Sequence, residues 1–284
     1  MELKTVDLYE YFGKQRGGVN GGYLTGYVRS PYPEIKPKAR PAMLVLPGGG
    51  YGFLSEREGE PVALNFLSKG YSSFVLKYSI NTAHPVPLIE ACMAVAYIRK
   101  NAEYLCVDKA HVGAIGFSAG GHLTGMLATM NGAEEVKEAL GQIAETSRPD
   151  AVVLSYPVVT MQDGVTHDGT RKVITDGGKI PYDTLSLEKR VSKGSVPAFI
   201  WHTMEDDCVP VENSLLLALA YKKAGVPFSL HIFEKGWHGL SLANEEVYNS
   251  GDIVAGLGRI DKWFELALDW LELRGFKVKA KEYI

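Results

Sequence analysis

The sequence predicts an α/β fold in which a mostly parallel sheet is covered by helices on both faces. Its short apolar runs, such as residues 42–46, are continuous rather than alternating, and this is typical of strands buried on both faces. Segments with helical spacing of apolar residues lie between these runs. That alternation of strand and helix is typical of a parallel sheet.

Six apolar runs are predicted as strands: 42–46, 73–78, 112–117, 151–156, 198–201 and 228–233. Helices are predicted at 57–69, from Pro87 onward, at 119–130 and from Pro210 to Ala224. Proline suits the first turn of a helix, and Gly70 follows the end of the first one. A last helix carries one apolar stripe, formed by Ile260, Trp263, Phe264, Ala267, Leu268 and Leu271.

We expect a single domain over residues 1–284, because a chain of this length can bury a sufficient core without disulfides or structural metals. It shows no internal repeat and no low-complexity linker. The segment 160–195 breaks the rhythm of strands and helices and is rich in Gly, Asp, Thr and Lys. We predict that it forms a short cap or insertion loop that faces the substrate.

Composition argues against several classes of protein. The formal charge of −3 leaves no basic patch for nucleic acid or for an anionic membrane surface. No apolar run approaches the roughly 20 residues of a membrane span, and the first residues lack the apolar core of a signal peptide. Three cysteines cannot all pair and match no metal spacing, so we expect reduced thiols, no metal and a cytoplasmic protein.

The segment Gly116-Phe117-Ser118-Ala119-Gly120 has the G-x-S-x-G pattern. A predicted strand precedes it and a predicted helix follows it, which is the context that presents a nucleophilic serine on a sharp turn. The alternative is a strand-to-helix turn that merely contains a serine. We predict Ser118 as the nucleophile.

A glycine loop, residues 47–51, follows the first predicted strand. Acyl transfer to a serine needs backbone N–H groups to stabilise an oxyanion, and Gly49 and Gly50 could supply them together with Ala119. A phosphate-binding loop is the alternative, but the Lys-Ser/Thr pair of a P-loop is missing.

The candidates for the general base and for its acid follow the later predicted strands. Only His238, just past the last strand, completes the chain order serine, acid, histidine. The acid lies among Glu205, Asp206 and Asp207, of which one can point inward. Of the other histidines, His202 ends a predicted strand, and His122 lies in the helix after Ser118, where we expect it to pack or to make a polar contact beneath the site. The remaining four are expected to be structural or exposed: His84, His111, His167 and His231.

Four segments together resemble the bacterial carbohydrate-esterase branch of the α/β-hydrolases, which includes acetylxylan esterases and is related to the hormone-sensitive-lipase-like esterases. They are residues 41–51, 116–122, 201–214 and 234–243, and the resemblance covers roughly residues 20–272. It implies the α/β-hydrolase fold and selects Asp206, four residues before Pro210, as the acid. Pro47 replaces the histidine of an H-G-G-G loop, which leaves open whether Gly49, Gly50 or Tyr51 faces the oxyanion.

The resemblance further implies a serine carboxylesterase that removes short acyl groups, chiefly acetyl, from carbohydrates such as xylo-oligosaccharides, without a cofactor. Tyr51, Tyr156 and Trp237 lie near the motifs and could offer ring faces to a sugar, although each could equally be a core aromatic. The expected partner is a small-molecule or oligosaccharide ester. Whether the protein forms a homo-oligomer is left open by the sequence. The alternatives are a serine peptidase, an arylformamidase or a non-catalytic binding protein on the same fold.

Overall fold

The computed structural model describes residues 2–29, 34, 38–248, 257, 259–277 and 279–280. The six predicted strands are confirmed as β3 to β8: Lys38–Leu46, Ser72–Lys77, Val107–Phe117, Ala151–Ser155, Ala198–Thr203 and Phe228–Phe233. They are parallel to one another in the order β4-β3-β5-β6-β7-β8. Their carboxyl ends therefore meet at one edge of the sheet.

The amino-terminal part of the chain adds two antiparallel strands that were not predicted from the sequence. Strand β1 (Glu2–Asp7) pairs with β2 (Tyr23–Val28), and β2 pairs with β4. Between them the short helix α1 (Leu8–Tyr11) begins after Asp7, whose carboxylate accepts the first free N–H groups of the helix. A last short strand, β9 (Lys279–Ala280), pairs antiparallel with β3.

Helices cover both faces of the sheet, as predicted. They are α2 (Glu60–Ser68), α3 (Val86–Lys100), α4 (Ala119–Met130), α5 (Glu134–Leu140), α6 (Asp168–Ile174), α7 (Tyr182–Leu185), α8 (Glu212–Ala224) and α9 (Trp263–Glu272). One apolar core includes residues of α3, α4 and α8, and a second core on the other face includes residues of α2 and α9. None of the helices in these described ranges is both long enough and apolar enough to span a bilayer.

The segment 160–195 is more ordered than the predicted loop. It contains α6, α7 and a 3-10 turn at Leu187–Lys189. Ile174, Leu185 and Leu187 are fully buried in the first core. The segment is therefore a packed insertion rather than an open loop.

Strand β5 passes into α4 through a turn at Ser118, whose φ is +53° and ψ is −117°. The glycines on either side of it allow the close contacts of this turn. A Cβ at Gly116 would lie 2.1 Å from the carbonyl oxygen of Gly120, and a Cβ at Gly120 would lie 2.1 Å from that of Leu46. Both glycines of the pattern are therefore required by backbone packing.

We expect Gly120→Ala to lower the free energy of unfolding by about 3 kcal/mol, because the end of β3 must shift to admit the methyl group. Urea unfolding monitored by circular dichroism measures the change. Gly132→Ala is the control, since no atom lies within 4 Å of the added Cβ, and it should change stability by less than about 0.5 kcal/mol. Equal unfolding midpoints for the two variants would contradict this account of the turn.

Candidate active site

Three side chains meet where strands β5, β7 and β8 end. Ser118 follows β5, Asp206 lies beyond β7 and His238 lies beyond β8. The Ser118 Oγ is 2.8 Å from the His238 Nε2, and the His238 Nδ1 is 2.7 Å from the Asp206 Oδ2. The structure thus brings together the serine, the acid and the histidine singled out in the sequence.

These distances fix where the protons lie. A carboxylate can only accept a hydrogen bond, so the Nδ1 of His238 carries its proton toward Asp206. In the neutral ring the Nε2 then has a lone pair, which accepts the hydroxyl proton of Ser118. The hydroxyl of Ser118 is therefore hydrogen-bonded to the ring nitrogen of His238 that can accept a proton.

The Asp206 carboxylate is buried and accepts three hydrogen bonds. Its Oδ1 accepts the N–H groups of Cys208 and Val209, at 3.0 and 2.8 Å. Its Oδ2 accepts the Nδ1–H of His238 at 2.7 Å and lies 3.2 Å from the Nε2 of His202, whose ring also bonds the carbonyl oxygen of Val209 at 2.9 Å. Burial alone would raise the pKa of Asp206, but the neighbouring His202 and His238 side chains outweigh it and hold the pKa well below its usual range. The group is ionised at neutral pH.

The two neighbouring acids point elsewhere. Glu205 forms an exposed ion pair with Lys235, with 2.7 Å between the Oε1 and the Nζ, and it also accepts the N–H of Gly236. Asp207 is exposed to solvent. Only one carboxylate of the three therefore reaches His238.

The glycine loop lies against the turn at Ser118. A Cβ at Gly48 would lie 3.0 Å from the Cβ of Ser118. The N–H of Gly48 is bound to Glu58, and the carbonyl oxygens of Gly48 and Gly49 accept N–H groups from later residues of the loop. The backbone N–H groups of Gly49, Gly50 and Ala119 donate to no acceptor among the described residues, so these three donors are available to a ligand.

A buried carboxylate that the sequence analysis did not single out joins two loops of the site. The Oε2 of Glu58 accepts the Gly48 N–H at 2.8 Å, and its Oε1 accepts the hydroxyl of Tyr156 at 2.7 Å. Burial raises the pKa of Glu58 above its ordinary value despite these hydrogen bonds. The hydroxyl of Tyr156 in turn accepts the N–H of Ser241, three residues after His238. Glu58 thus connects the glycine loop to the loop of the histidine.

Two of the three aromatic residues proposed to face a sugar are buried, and that expectation was wrong for them. Tyr51 is 0% exposed and Tyr156 is 1% exposed. The Tyr156 ring packs edge-on against the His238 ring, with 5.1 Å between centroids, so it supports the imidazole from within the core. Trp237 is 40% exposed and keeps a ring surface toward solvent, as does Phe53, which is 61% exposed and was not considered.

His122 makes the polar contact expected beneath the site and links three segments. Its Nε2 donates to the carbonyl oxygen of Leu185 in the insertion, at 2.8 Å. Its Nδ1 therefore accepts the hydroxyl of Tyr51, which is 3.0 Å away in the glycine loop. Burial lowers the pKa of His122 to about 4, so the ring is neutral at pH 7.

Sequence reasoning missed residues that carry no local signal. His202 was noted only as the end of a strand, and Glu58 looks like an ordinary acid near the start of a helix. His167 was expected to be structural or exposed; it caps α6, but its ring also lies against Gly50 of the glycine loop. Over the described ranges, no group of three or more His, Cys, Asp or Glu side chains is placed to hold a metal ion.

Comparison of the sequence with known proteins gives a consistent family. The BD-FAE family profile matches residues 31–221. The chain is 40% identical over 220 residues to endo-1,4-beta-xylanase B of Butyrivibrio fibrisolvens, covering 74% of this chain and 34% of that protein. It is 31% identical over 217 residues to an acetylxylan esterase of Xylanibacter ruminicola, covering 73% of this chain and 42% of that protein. The chain thus spans less than half the length of these relatives.

Solved structures share the fold over nearly the whole chain. An acetyl ester-xyloside bifunctional hydrolase from Caldicellulosiruptor lactoaceticus superposes with a TM-score of 0.78 at 34% identity, covering 96% of this chain and 97% of that one. A carboxylesterase from Lactobacillus plantarum gives a TM-score of 0.82 at 26% identity, covering 99% and 100% of the two chains. The architecture is that of an α/β-hydrolase, as predicted.

The lowered pKa of His122 predicts a specific loss of stability in acid. In the unfolded state His122 takes up a proton near pH 6.5, but in the folded state only near pH 4. The contribution of the neutral His122 to the free energy of unfolding is therefore fully present above pH 6.5 and is lost as the pH is lowered toward 4. Between pH 7.5 and 4.5 the wild type should lose about 2–3 kcal/mol more of its unfolding free energy than His122→Gln, which cannot titrate.

Urea unfolding of both proteins at the two pH values measures this difference. The other titrating groups, including His84 beside His122, are common to both proteins and cancel in the comparison. Glutamine retains an N–H that can donate to the Leu185 carbonyl. The same pH-dependent loss in both proteins would show that His122 does not titrate as described.

Proposed function

This chain belongs to the BD-FAE family, and on that premise we propose that it is a serine carboxylesterase that removes short acyl groups, chiefly acetyl, from carbohydrates such as xylo-oligosaccharides. The observation that carries the proposal is the continuous hydrogen-bond chain from Ser118 through His238 to Asp206. It lies beside a glycine loop in which the N–H groups of Gly49 and Gly50 have no acceptor among the described residues. This arrangement suits two-step acyl transfer.

In the first step, His238 accepts the hydroxyl proton of Ser118 as the Oγ forms a bond to the ester carbonyl carbon. The C–O bond to the alcohol then breaks, and the Nε2 of His238 gives its proton to the leaving alcohol oxygen. In the second step, water attacks the acyl-serine by the same route and releases the acid. Asp206 stabilises the charged imidazole in both steps, and the three hydrogen bonds that it accepts favour its ionised form.

The oxyanion of each tetrahedral intermediate accepts hydrogen bonds from the N–H of Ala119 and from Gly49 and Gly50. These three N–H groups have no hydrogen-bond acceptor among the described residues, which supports this assignment. The Gly48 N–H takes no part because it is bound to Glu58. Donors held in place before the reaction cost no reorganisation as the negative charge develops, and a single such donor is worth about 3 kcal/mol.

The choice of acetylated carbohydrates rests on the relatives. One is named an acetylxylan esterase, another a xylanase, and one neighbouring structure an acetyl ester-xyloside hydrolase. Trp237 and Phe53 are partly exposed aromatic residues near the site loops, and aromatic faces bind the apolar side of sugar rings. The three cysteines are free thiols, which supports the further proposal of a reducing, cytoplasmic location.

Asp206→Asn should lower kcat by roughly 10⁴, because an amide does not fix the tautomer of His238 or stabilise its cation. Asp207→Asn is the matched control: its side chain is exposed to solvent, so kcat should change by less than about tenfold. Steady-state hydrolysis of 4-nitrophenyl acetate by both folded variants gives the two rates. Inactivity of the Asp207 variant instead would reassign the acid.

Among 4-nitrophenyl esters, kcat/KM should be highest for acetate or propionate and fall by octanoate. A long apolar channel would add about 0.8 kcal/mol, a factor near four, for each bound methylene, and we propose that this site has none. Acetylated xylo-oligosaccharides should release acetate with the wild type but not with Ser118→Ala. A maximum at octanoate without release from the sugars would refute the carbohydrate proposal, and preferred cleavage of N-formylkynurenine or a proline peptide would favour an arylformamidase or a peptidase.

A further inference from the structure

His167 brings a polar side chain of the insertion to the glycine loop. A Cβ built on Gly50 would lie 3.5 Å from the Cε1 of the His167 ring and 4.0 Å from its Nδ1. The side chain stands at the start of α6 and is half-buried. It thus lies next to a glycine whose N–H has no acceptor among the described residues.

The hydrogen bonds of the ring fix its tautomer. The Nδ1 accepts the backbone N–H of Thr170 at 3.2 Å and lies 2.8 Å from the Thr170 hydroxyl. Since a backbone N–H can only donate, the ring proton is on the Nε2. Within the part of the chain that the structure describes, the Nε2–H has no acceptor. His167 therefore offers one hydrogen-bond donor to a ligand.

The charge state of the ring agrees with this role. Burial lowers the pKa of His167, and repulsion from the nearby His238 lowers it further. The ring is then neutral at pH 7 and donates without adding a positive charge beside the base. A fixed neutral donor is suited to an uncharged oxygen atom of a substrate.

The position of His167 relative to His238 indicates which half of the ester it meets. In the proposed mechanism the Nε2 of His238 returns a proton to the alcohol oxygen, so the alcohol lies on the side of His238. Asn213, at the start of α8 just after the loop of Asp206, donates its Nδ2–H to the carbonyl oxygen of Val165 at 2.8 Å, two residues before His167. The start of α6 is thereby held on the side of Asp206 and His238, while the His167 ring lies against the glycine loop. A substituent next to the ester oxygen therefore comes within its reach.

We propose that His167 is a specificity-determining residue whose Nε2–H donates a hydrogen bond to the hydroxyl group adjacent to the ester oxygen. This rests on the proposed esterase function and defines the substrate class as monoesters of vicinal diols, to which partly acetylated sugars belong. An ester whose alcohol lacks that hydroxyl group leaves the donor unpaired and reacts more slowly.

The test uses two acetates of nearly equal size, 2-hydroxyethyl acetate and propyl acetate, which differ by a hydroxyl group in place of a methyl group. The measured quantity is the ratio of kcat/KM for the two esters, from acetate release at constant pH. In His167→Phe, which keeps a ring but has no donor, the ratio should fall by about threefold to tenfold, the range expected for one neutral hydrogen bond.

A second variant separates the donor from the capping of α6. His167→Asn keeps a side chain that accepts the Thr170 N–H at a position where asparagine is favoured, but it is too short to reach the substrate. The ratio should fall to the same extent as in His167→Phe. Circular dichroism confirms that both variants are folded.

The outcomes distinguish this proposal from the proposed function. An unchanged ratio in both variants overturns the role of His167 alone. Equal losses on both esters in His167→Phe, with none in His167→Asn, also overturn it, because the side chain then acts only by capping α6. Hydrolysis of neither ester by the wild type overturns the proposed esterase and this proposal with it. A ratio that falls in both variants supports the donor even if acetylated xylo-oligosaccharides prove not to be substrates.

Discussion

The left-handed turn at Ser118 is the constraint around which the site is built. A residue with a Cβ at positive φ is strained by roughly 1–3 kcal/mol, and the surrounding structure must hold it there. The end of β6 does so: the N–H of Ser118 donates to the carbonyl of Ser155, and the Ser118 carbonyl accepts the N–H groups of Val158 and His122. With the backbone held on both sides, the Ser118 Oγ lies 2.8 Å from the Nε2 of His238.

Glu58 sets a second constraint, because one carboxylate serves two loops that are far apart in sequence. It anchors the glycine loop directly and the histidine loop through Tyr156. The positions of the glycine loop and of the loop that carries His238 are consequently set by the same buried group. A carboxylate in this setting is costly to bury unless its oxygens are satisfied, and each of them accepts one hydrogen bond here.

The sequence predicted the parallel strands, most of the helices and the side chains that now lie within hydrogen-bonding distance, because these follow from hydrophobic periodicity and from motifs with fixed spacing. The strands before residue 29 escaped prediction because their apolar pattern is short and half-exposed. Glu58, His202 and His167 could not be found in this way, since their positions depend on contacts across the fold. The burial of Tyr51 and Tyr156 was likewise decided by tertiary packing, which sequence position alone does not reveal.

The bridge from His122 to the carbonyl of Leu185 bears on how such proteins diversify. The insertion can vary in its exposed residues at little cost, but any replacement segment must bring a backbone or side-chain acceptor to the same point. Otherwise the imidazole N–H is left buried and unpaired, at a cost of about 1–3 kcal/mol. Transplanting an insertion from a relative to alter substrate range should therefore succeed only when the graft carries its own acceptor for this histidine, or when the histidine is exchanged at the same time.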